Sequence, residues 1–445
     1  MSILYLLVFH AVFSLFQNDS FYSNTLGSIS SNYLRTGDWN DGKILKKDTV
    51  FVERTSNNYL NWDASIYHCI AKRMYVLEDS CYGKVRAAFF PAFPLIWKAS
   101  GLSPPSMSIF NFLLFAFALA LAFSFFSNLP FREVVLAYLV LISLPTSLIF
   151  QMPYTESLFV LSMIVGSVGL WKDKYGLYLF GFALMAMVRP ATVFVLFAIA
   201  LTDLGRSIQK KSSIKDFFKS ASLKGLPFLV GYILAFSIQI YSSGSVMAFW
   251  DAHSFWSATA PENWQIVDWS VEGFAMNAFA IFFLAIPACI GAFRTFFNDL
   301  SKPRNYLLSV SLFYLVGIFV FTAITSGGNL HSFFRFELAS PCFFIAAIFF
   351  LDRSKKDLWS QLFKFILLPL AGLLTFLAFV DYGGDRLRFE YLGAYLLIAS
   401  FTYLLVYQRL VPFSRYLILS VLLLGNILFG TYLLNMFLSN VWIFT

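Results

Sequence analysis

The chain is poor in charge and in the side chains that hold metals. Of its 445 residues, 13% are charged, with four His and four Cys, where soluble domains carry about a quarter charged residues. That scarcity excludes a large solvated surface and with it an ordinary soluble class. There is no CxxC or HxxxH spacing, so nothing marks a metal or redox centre. There is no GxxxxGK[ST] loop, hence no sign of ATP drive within the chain. No Asp-x-Asp pair is present to hold a metal-bound nucleotide diphosphate, and no soluble lobe to receive one. A sugar-nucleotide transferase working from the cytosol is therefore disfavoured. Internal repeats, including the inverted repeats of many transporters, are not visible.

What remains is apolar. The sequence is 59% hydrophobic with 55 Phe and 22 Tyr, and its mean hydropathy is +0.71. Runs of about 17–25 residues, each long enough to cross a ~30 Å hydrocarbon core, recur almost to the end. They cover 106–127, 134–150, 157–171, 176–201, 225–243, 273–293, 306–325, 336–351, 359–380, 391–407 and 416–438. Residues 1–17 lack a basic n-region and a small-residue cleavage site, and read as a first span. The expectation is an all-α polytopic membrane protein of 11–13 transmembrane helices in one domain, residues 1–445. The net charge of +8 is scattered over short connectors, which fits anionic headgroups rather than nucleic acid.

Connector charge gives an orientation. Residues 202–224 hold Arg206, Lys210, Lys211, Lys215, Lys219 and Lys224 against Asp203 and Asp216. Arg294/Lys302/Arg304, Arg353/Lys355/Lys356 and Arg409/Arg415 mark further basic connectors, and all read as cytoplasmic. Run 176–201 is broken at Arg189-Pro190 and reads as two short helices dipping outward and back. The long loop 18–87, residues 151–156, Arg189, 244–272, 326–335 and 381–390 then share the outer face. Nine basic residues in the first loop argue mildly against this, but long loops obey the charge rule poorly. Cys69 and Cys81 share that loop and form a disulfide if it faces an oxidising compartment. Cys289 and Cys342 sit in apolar runs as packing residues.

Candidate chemistry lies on the outer face. Residues 61–67 read NWDASIY, and 88–95 return to the bilayer as AFFPAFPL. A short amphipathic helix is expected over 63–75, with Ile66, Ile70 and Met74 on one side and Ser65, His68 and Lys72 away from it. Asp63, beside Trp62 and Tyr67, is either a shielded general base or a solvated, helix-capping aspartate. Arg189 lies at a helix break in an apolar run, so it either binds a lipid phosphate or snorkels to the interface. Arg335 admits the same two readings. In QMPYTE (151–156), Glu156 binds a sugar hydroxyl or caps the next helix, with Tyr154 beside it. Trp250, His253 and Trp256 share one outer loop, as a sugar-stacking surface or an interfacial belt.

Several short motifs together resemble the membrane mannosyltransferases that add the second mannose of GPI anchors, with their bacterial relatives, within the GT-C class. The pattern W-D-x-x-x-Y…I-A is matched by Trp62, Asp63, Tyr67, Ile70 and Ala71. F-F-P-x-x-P is matched by Phe89, Phe90, Pro91 and Pro94, Y-T-E-S-L-F by residues 154–159, and R-P by Arg189-Pro190. Ala248, Phe249, Ala252 and Trp256 match A-F…A-x-x-x-W, and Arg335, Phe336 and Pro341 match R-[YF]…P. Order and rough spacing agree from 62 to 341. Departures are Ala64 and Ser65 where relatives have glycines, Met74 for a glycine, His253 for a glutamine, and Gly244-Ser245-Val246 for Gly-Asp-Pro.

The resemblance implies a GT-C-like helical bundle and inverting transfer of a sugar, mannose in that family. The donor would be a polyprenyl- or dolichyl-phosphate sugar, the acceptor lipid- or glycan-linked. Asp63 would be the base, and Arg189 or Arg335 would steady the leaving phosphate. Trp62, Tyr67, Tyr154, Glu156, His253 and Trp256 would line the substrates. No metal or cofactor is implied. A transporter or flippase of lipid-linked saccharides is the rival reading, and an enzyme transferring preassembled glycans a third. Compact loops and no retrieval signal favour a bacterial inner membrane over the endoplasmic reticulum.

Overall fold

The computed structural model describes residues 1–16, 55–76, 81–256, 285–325, 333–353 and 389–438. Every element among them is a helix. In chain order they are α1 (Ser2–Phe16), α2 (Asp63–Arg73), α3 (Ala92–Ser100), α4 (Pro104–Phe126) and α5 (Phe131–Ser143). Then come α6 (Glu156–Trp171), α7 (Tyr175–Val188), α8 (Thr192–Lys210), α9 (Ile214–Ser243) and α10 (Ala248–Trp256). The rest are α11 (Ile286–Phe296), α12 (Pro303–Thr325), α13 (Phe333–Leu338), α14 (Pro341–Arg353), α15 (Phe389–Val406) and α16 (Pro412–Leu438). Among the described residues α4, α8, α9, α12 and α16 are long and apolar enough to cross a membrane. Run 359–380, most of the first loop and the first part of run 273–293 lie outside the described residues.

Local chemistry sets the ends. Ser103 accepts from the Ser106 amide at the start of α4, and Pro104 fills its first turn. Ser213 does the same for α9 through the Asp216 amide, and Gly244 closes that helix with a φ of 70°. Prolines divide what read as continuous runs. Pro145 splits run 134–150 into α5 and a 3₁₀ turn, Pro145–Gln151, bent by 76°. Run 336–351 breaks before Pro341 into α13 and α14. The basic connector 202–224 is mostly helix, with 211–213 alone between α8 and α9. The break at Arg189-Pro190 is present, with Arg189 extended as a residue before proline should be. Its second limb continues to Lys210 and is long enough to span rather than a half-helix.

The hairpin of α6 and α7 positions the functional end. Its helices touch backbone to backbone, because a Cβ on Gly181 would lie 2.2 Å from the Gly166 nitrogen and one on Gly169 2.3 Å from the Tyr178 nitrogen. Small residues permit that approach where there is no hydrophobic drive between helices in lipid. An antiparallel pair of this closeness brings Glu156, the first residue of α6, level with Arg189, just after α7. α9 packs on α7 the same way through Gly231, opposite the Ala183 carbonyl. At the far end, Lys224 bonds Asp203 at 2.5 Å and Tyr306 donates to the same oxygen at 3.0 Å, tying α8, α9 and α12. Arg304 and Asp352 pair there at 3.2 Å, and Asp352 also holds the turn at Asn128. The helices thus have a basic end and an opposite, site-bearing end.

The glycine contact gives a stability prediction. Gly181→Val forces the hairpin apart and should cost about 1–3 kcal/mol, read as a lower melting temperature of the purified protein in detergent. An unchanged melting temperature would show that the hairpin tolerates separation.

Candidate functional site

Asp63 is set at the surface by a turn with unusual backbone. Trp62 has φ 55° and ψ −132°, so α2 opens from a conformation that side chains other than glycine rarely adopt. The Asn61 amide anchors the turn by donating to the carbonyls of Asn58 at 2.9 Å and Phe437 at 2.6 Å. α2 ends at Met74, again with positive φ (54°), at the position where the resembled family carries glycine. The expected amphipathic face is present: Ile66 and Ile70 are buried while Lys72 is exposed. Cys69 of α2 is bonded to Cys81. Tyr67 is buried, shares a 3.3 Å hydrogen bond with the Thr155 hydroxyl, and meets Phe89 and Phe93 edge to face. Burial, and then the Asp63 carboxylate, push its hydroxyl above the ordinary phenol range, so it stays protonated.

Glu156 arrives by a different route. The 151–155 segment is held by α4: Ser108 donates to the Gln151 carbonyl, and Asn111 donates to those of Met152 at 2.6 Å and Tyr154 at 2.8 Å. Asn111 and Ser108 escaped the sequence reading. The available signal was a polar side chain inside the apolar run 106–127, which in a membrane must find a partner. Glu156 is the first residue of α6 and its carboxyl is buried. Its Oε1 accepts a hydrogen bond from Arg335 Nε at 2.7 Å and forms an ion pair with Arg189 Nη1 at 3.0 Å.

Arg335 links the two carboxylates. Its Nη2 donates to Asp63 Oδ2 at 2.7 Å while its Nε holds Glu156. The guanidinium lies 4.8 Å from the centre of the Tyr154 ring. Burial opposes its charge, but Glu156 and Asp63 together raise it above the ordinary arginine value, so it stays a cation. Arg189 stands over the rings of Phe159 and Phe336. Neither arginine snorkels, because an inward carboxylate balances each one. The result is a chain of alternating charge, Asp63–Arg335–Glu156–Arg189, neutral in sum.

Exposure shows which way this chain opens. Side-chain exposure is 5% for Arg335 and 1% for Glu156, but 23% for Asp63 and 17% for Arg189. The inner pair is a floor, and Asp63 and Arg189 face outward. Among the described residues Glu156 is the ion-pair partner of Arg189, so its other N–H groups are available to an anion. Trp62 is half-buried beside Asp63, and Trp250 on α10 is 61% exposed. His253 and Trp256 lie on the last turn of α10, but their side chains are outside the described part.

No protein-family model matches the chain, and no curated protein matches it. Two crystal structures of ArnT from Cupriavidus metallidurans are similar, one bound to undecaprenyl phosphate and one in the apo state. Identity is 13% for both, with TM-scores of 0.52 and 0.51, over 98% of this chain and 77% of that one. The likeness shows the GT-C-type polytopic helical fold expected from the sequence. It does not show the second-mannose family.

Removing the shared carboxylate tests this arrangement. Glu156→Ala leaves two cations facing one another in a buried site and should destabilise by about 3–5 kcal/mol, seen as a large drop in melting temperature in detergent. Unchanged melting would mean that the ion chain does not hold the site together.

Proposed function

We propose that the chain is an inverting glycosyltransferase that moves a sugar from a polyprenyl-phosphate donor to a lipid- or glycan-linked acceptor outside the cytosol. The observation that carries this reading is an outward-facing carboxylate joined through one buried network to two guanidiniums. It stands in a fold shared with a protein crystallised with undecaprenyl phosphate. Transfer from a lipid phosphate needs a base for the acceptor hydroxyl and cations for the leaving group. Asp63 supplies the first, and Arg189 and Arg335 the second.

In the reaction the acceptor oxygen attacks the anomeric carbon while its proton passes to Asp63. The bond from that carbon to the phosphate oxygen breaks, and its electron pair stays on the phosphate. Attack opposite the leaving group inverts the configuration. Arg189, with N–H groups available and 17% exposure, binds the phosphate through paired hydrogen bonds. Fixed cations in a shielded site can lower such a barrier by several kcal/mol, and holding both substrates in one cleft does the rest. Trp62, half-buried beside Asp63, lies on the sugar- and acceptor-facing side, and the motif resemblance adds His253 and Trp256 to the substrate contacts. Mannose is the sugar favoured by the motif resemblance.

The orientation rests on two features. The site is opposite the basic ends of α8, α9 and α14, which favour the cytoplasmic side. The Cys69–Cys81 bond at the site end fits an oxidising compartment. A bacterial inner membrane suits both, with undecaprenyl phosphate as the carrier.

Asp63→Asn in the purified, reconstituted protein should retain binding of a polyprenyl-phosphate sugar and lose transfer by at least about a hundredfold, measured by product mass spectrometry. A variant that still moves the lipid-linked sugar across vesicles as the wild type does would mark the protein as a transporter instead.

A further inference from the structure

Asp63 is already engaged by a cation. Its Oδ2 is bonded to Arg335 Nη2 at 2.7 Å, the same guanidinium whose Nε is held by Glu156 at 2.7 Å. To accept a proton, Asp63 must give up the charge that attracts Arg335. In the same step the departing phosphate gains a charge. One negative charge therefore leaves one side of the site and appears on the other while the total is unchanged.

Resting on the glycosyl-transfer reading above, we infer that Arg335 is a shared counter-ion that exchanges Asp63 for the leaving phosphate as the sugar is transferred. The guanidinium is built for this. It offers five donors in a rigid fork, so one edge can stay on Glu156 while the Nη2 edge changes partner. Tyr154 beneath its plane at 4.8 Å and Glu156 behind its Nε fix the pivot, leaving a tilt rather than a swing of the side chain. Glu156 and Tyr154 are then positioning residues, acting through Arg335. Arg189 differs: it is bound to Glu156 alone of the two carboxylates, so it marks where the donor phosphate rests before reaction. The balance is closed. The acceptor O–H bond breaks with its proton going to Asp63, the new bond to the anomeric carbon forms, and the old one leaves its electron pair on phosphate. Arg335 follows the charge from carboxylate to phosphate.

The arrangement has a consequence for binding. In the resting site Asp63 and an incoming phosphate compete for Arg335, so neutralising Asp63 should strengthen phosphate binding through Arg335 specifically. The test uses the full chain in nanodiscs and undecaprenyl monophosphate as the probe, with undecaprenol as the control lipid. Asp63→Asn should bind the phosphate about tenfold more tightly than wild type, equivalent to one lost competing ion contact. That gain should shrink to less than about twofold in an Arg335→Gln background and persist in an Arg189→Gln background. Arg335→Lys, which keeps the charge but cannot hold Glu156 while reaching a second anion, should also abolish it and serves if Arg335→Gln does not fold. An unchanged or weaker affinity in Asp63→Asn would overturn the exchange, as would an equal gain in all backgrounds, which is simple charge removal. If wild type does not prefer undecaprenyl monophosphate to undecaprenol, the lipid-phosphate reading falls first, and the exchange with it.

Discussion

One carboxylate oxygen organises the site. Glu156 Oε1 pairs with two arginines at once, and without it two cations would face each other in a region where unbalanced charge is costly. The arginines come from elements that have little else in common: Arg189 from the break after α7, Arg335 from the short helix α13. Glu156 itself is delivered by the α6–α7 hairpin, whose glycines bring the backbones into contact. The sequence of cause runs from small residues, to a close helix pair, to a carboxylate at a fixed height, to two aligned guanidiniums. Asp63 joins last, from a surface helix whose ends both require strained backbone at Trp62 and Met74.

Much of this was visible in the sequence, though not for one reason. Apolar run length fixed the class, since a chain with so few charges has no other way to bury itself. Arg189 and Arg335 stood out singly because charge in or at the end of an apolar run is expensive, and Asp63 and Glu156 because they sit beside aromatic residues in outer-face segments. Their pairing was hidden. Glu156 and Arg335 are 179 residues apart and Asp63 and Arg335 272, and no local pattern reports a contact at such separations. That is why a helix cap for Glu156 and interfacial snorkelling for the arginines were good local accounts of residues that bind one another. Periodicity also passed over Pro145 and Pro341, because a run of apolar residues reads the same whether straight or bent.

Met74 carries a related lesson. The resembled family has glycine at this place, and here a methionine adopts the positive φ that glycine makes easy. A positive φ can be held without glycine where surrounding packing fixes the turn. The same holds for the support beneath the site. Asn111 and Ser108 bond carbonyls in the 151–154 segment and touch no charge, so they matter only through the backbone they hold.

The proposed transfer draws on the fold and on the site separately. The fold is shared with a protein that binds a polyprenyl phosphate, at an identity too low to carry residues across. The site supplies, from this chain alone, an exposed carboxylate and two guanidiniums joined through Glu156. The most direct measurement is a structure of the full chain in lipid with undecaprenyl phosphate bound. The account predicts the phosphate within hydrogen-bond distance of both Arg189 and Arg335, on the side where Asp63 is exposed. A phosphate seated at the basic end among Arg206, Lys210 and Lys211, or anywhere beyond reach of Arg189, would contradict it.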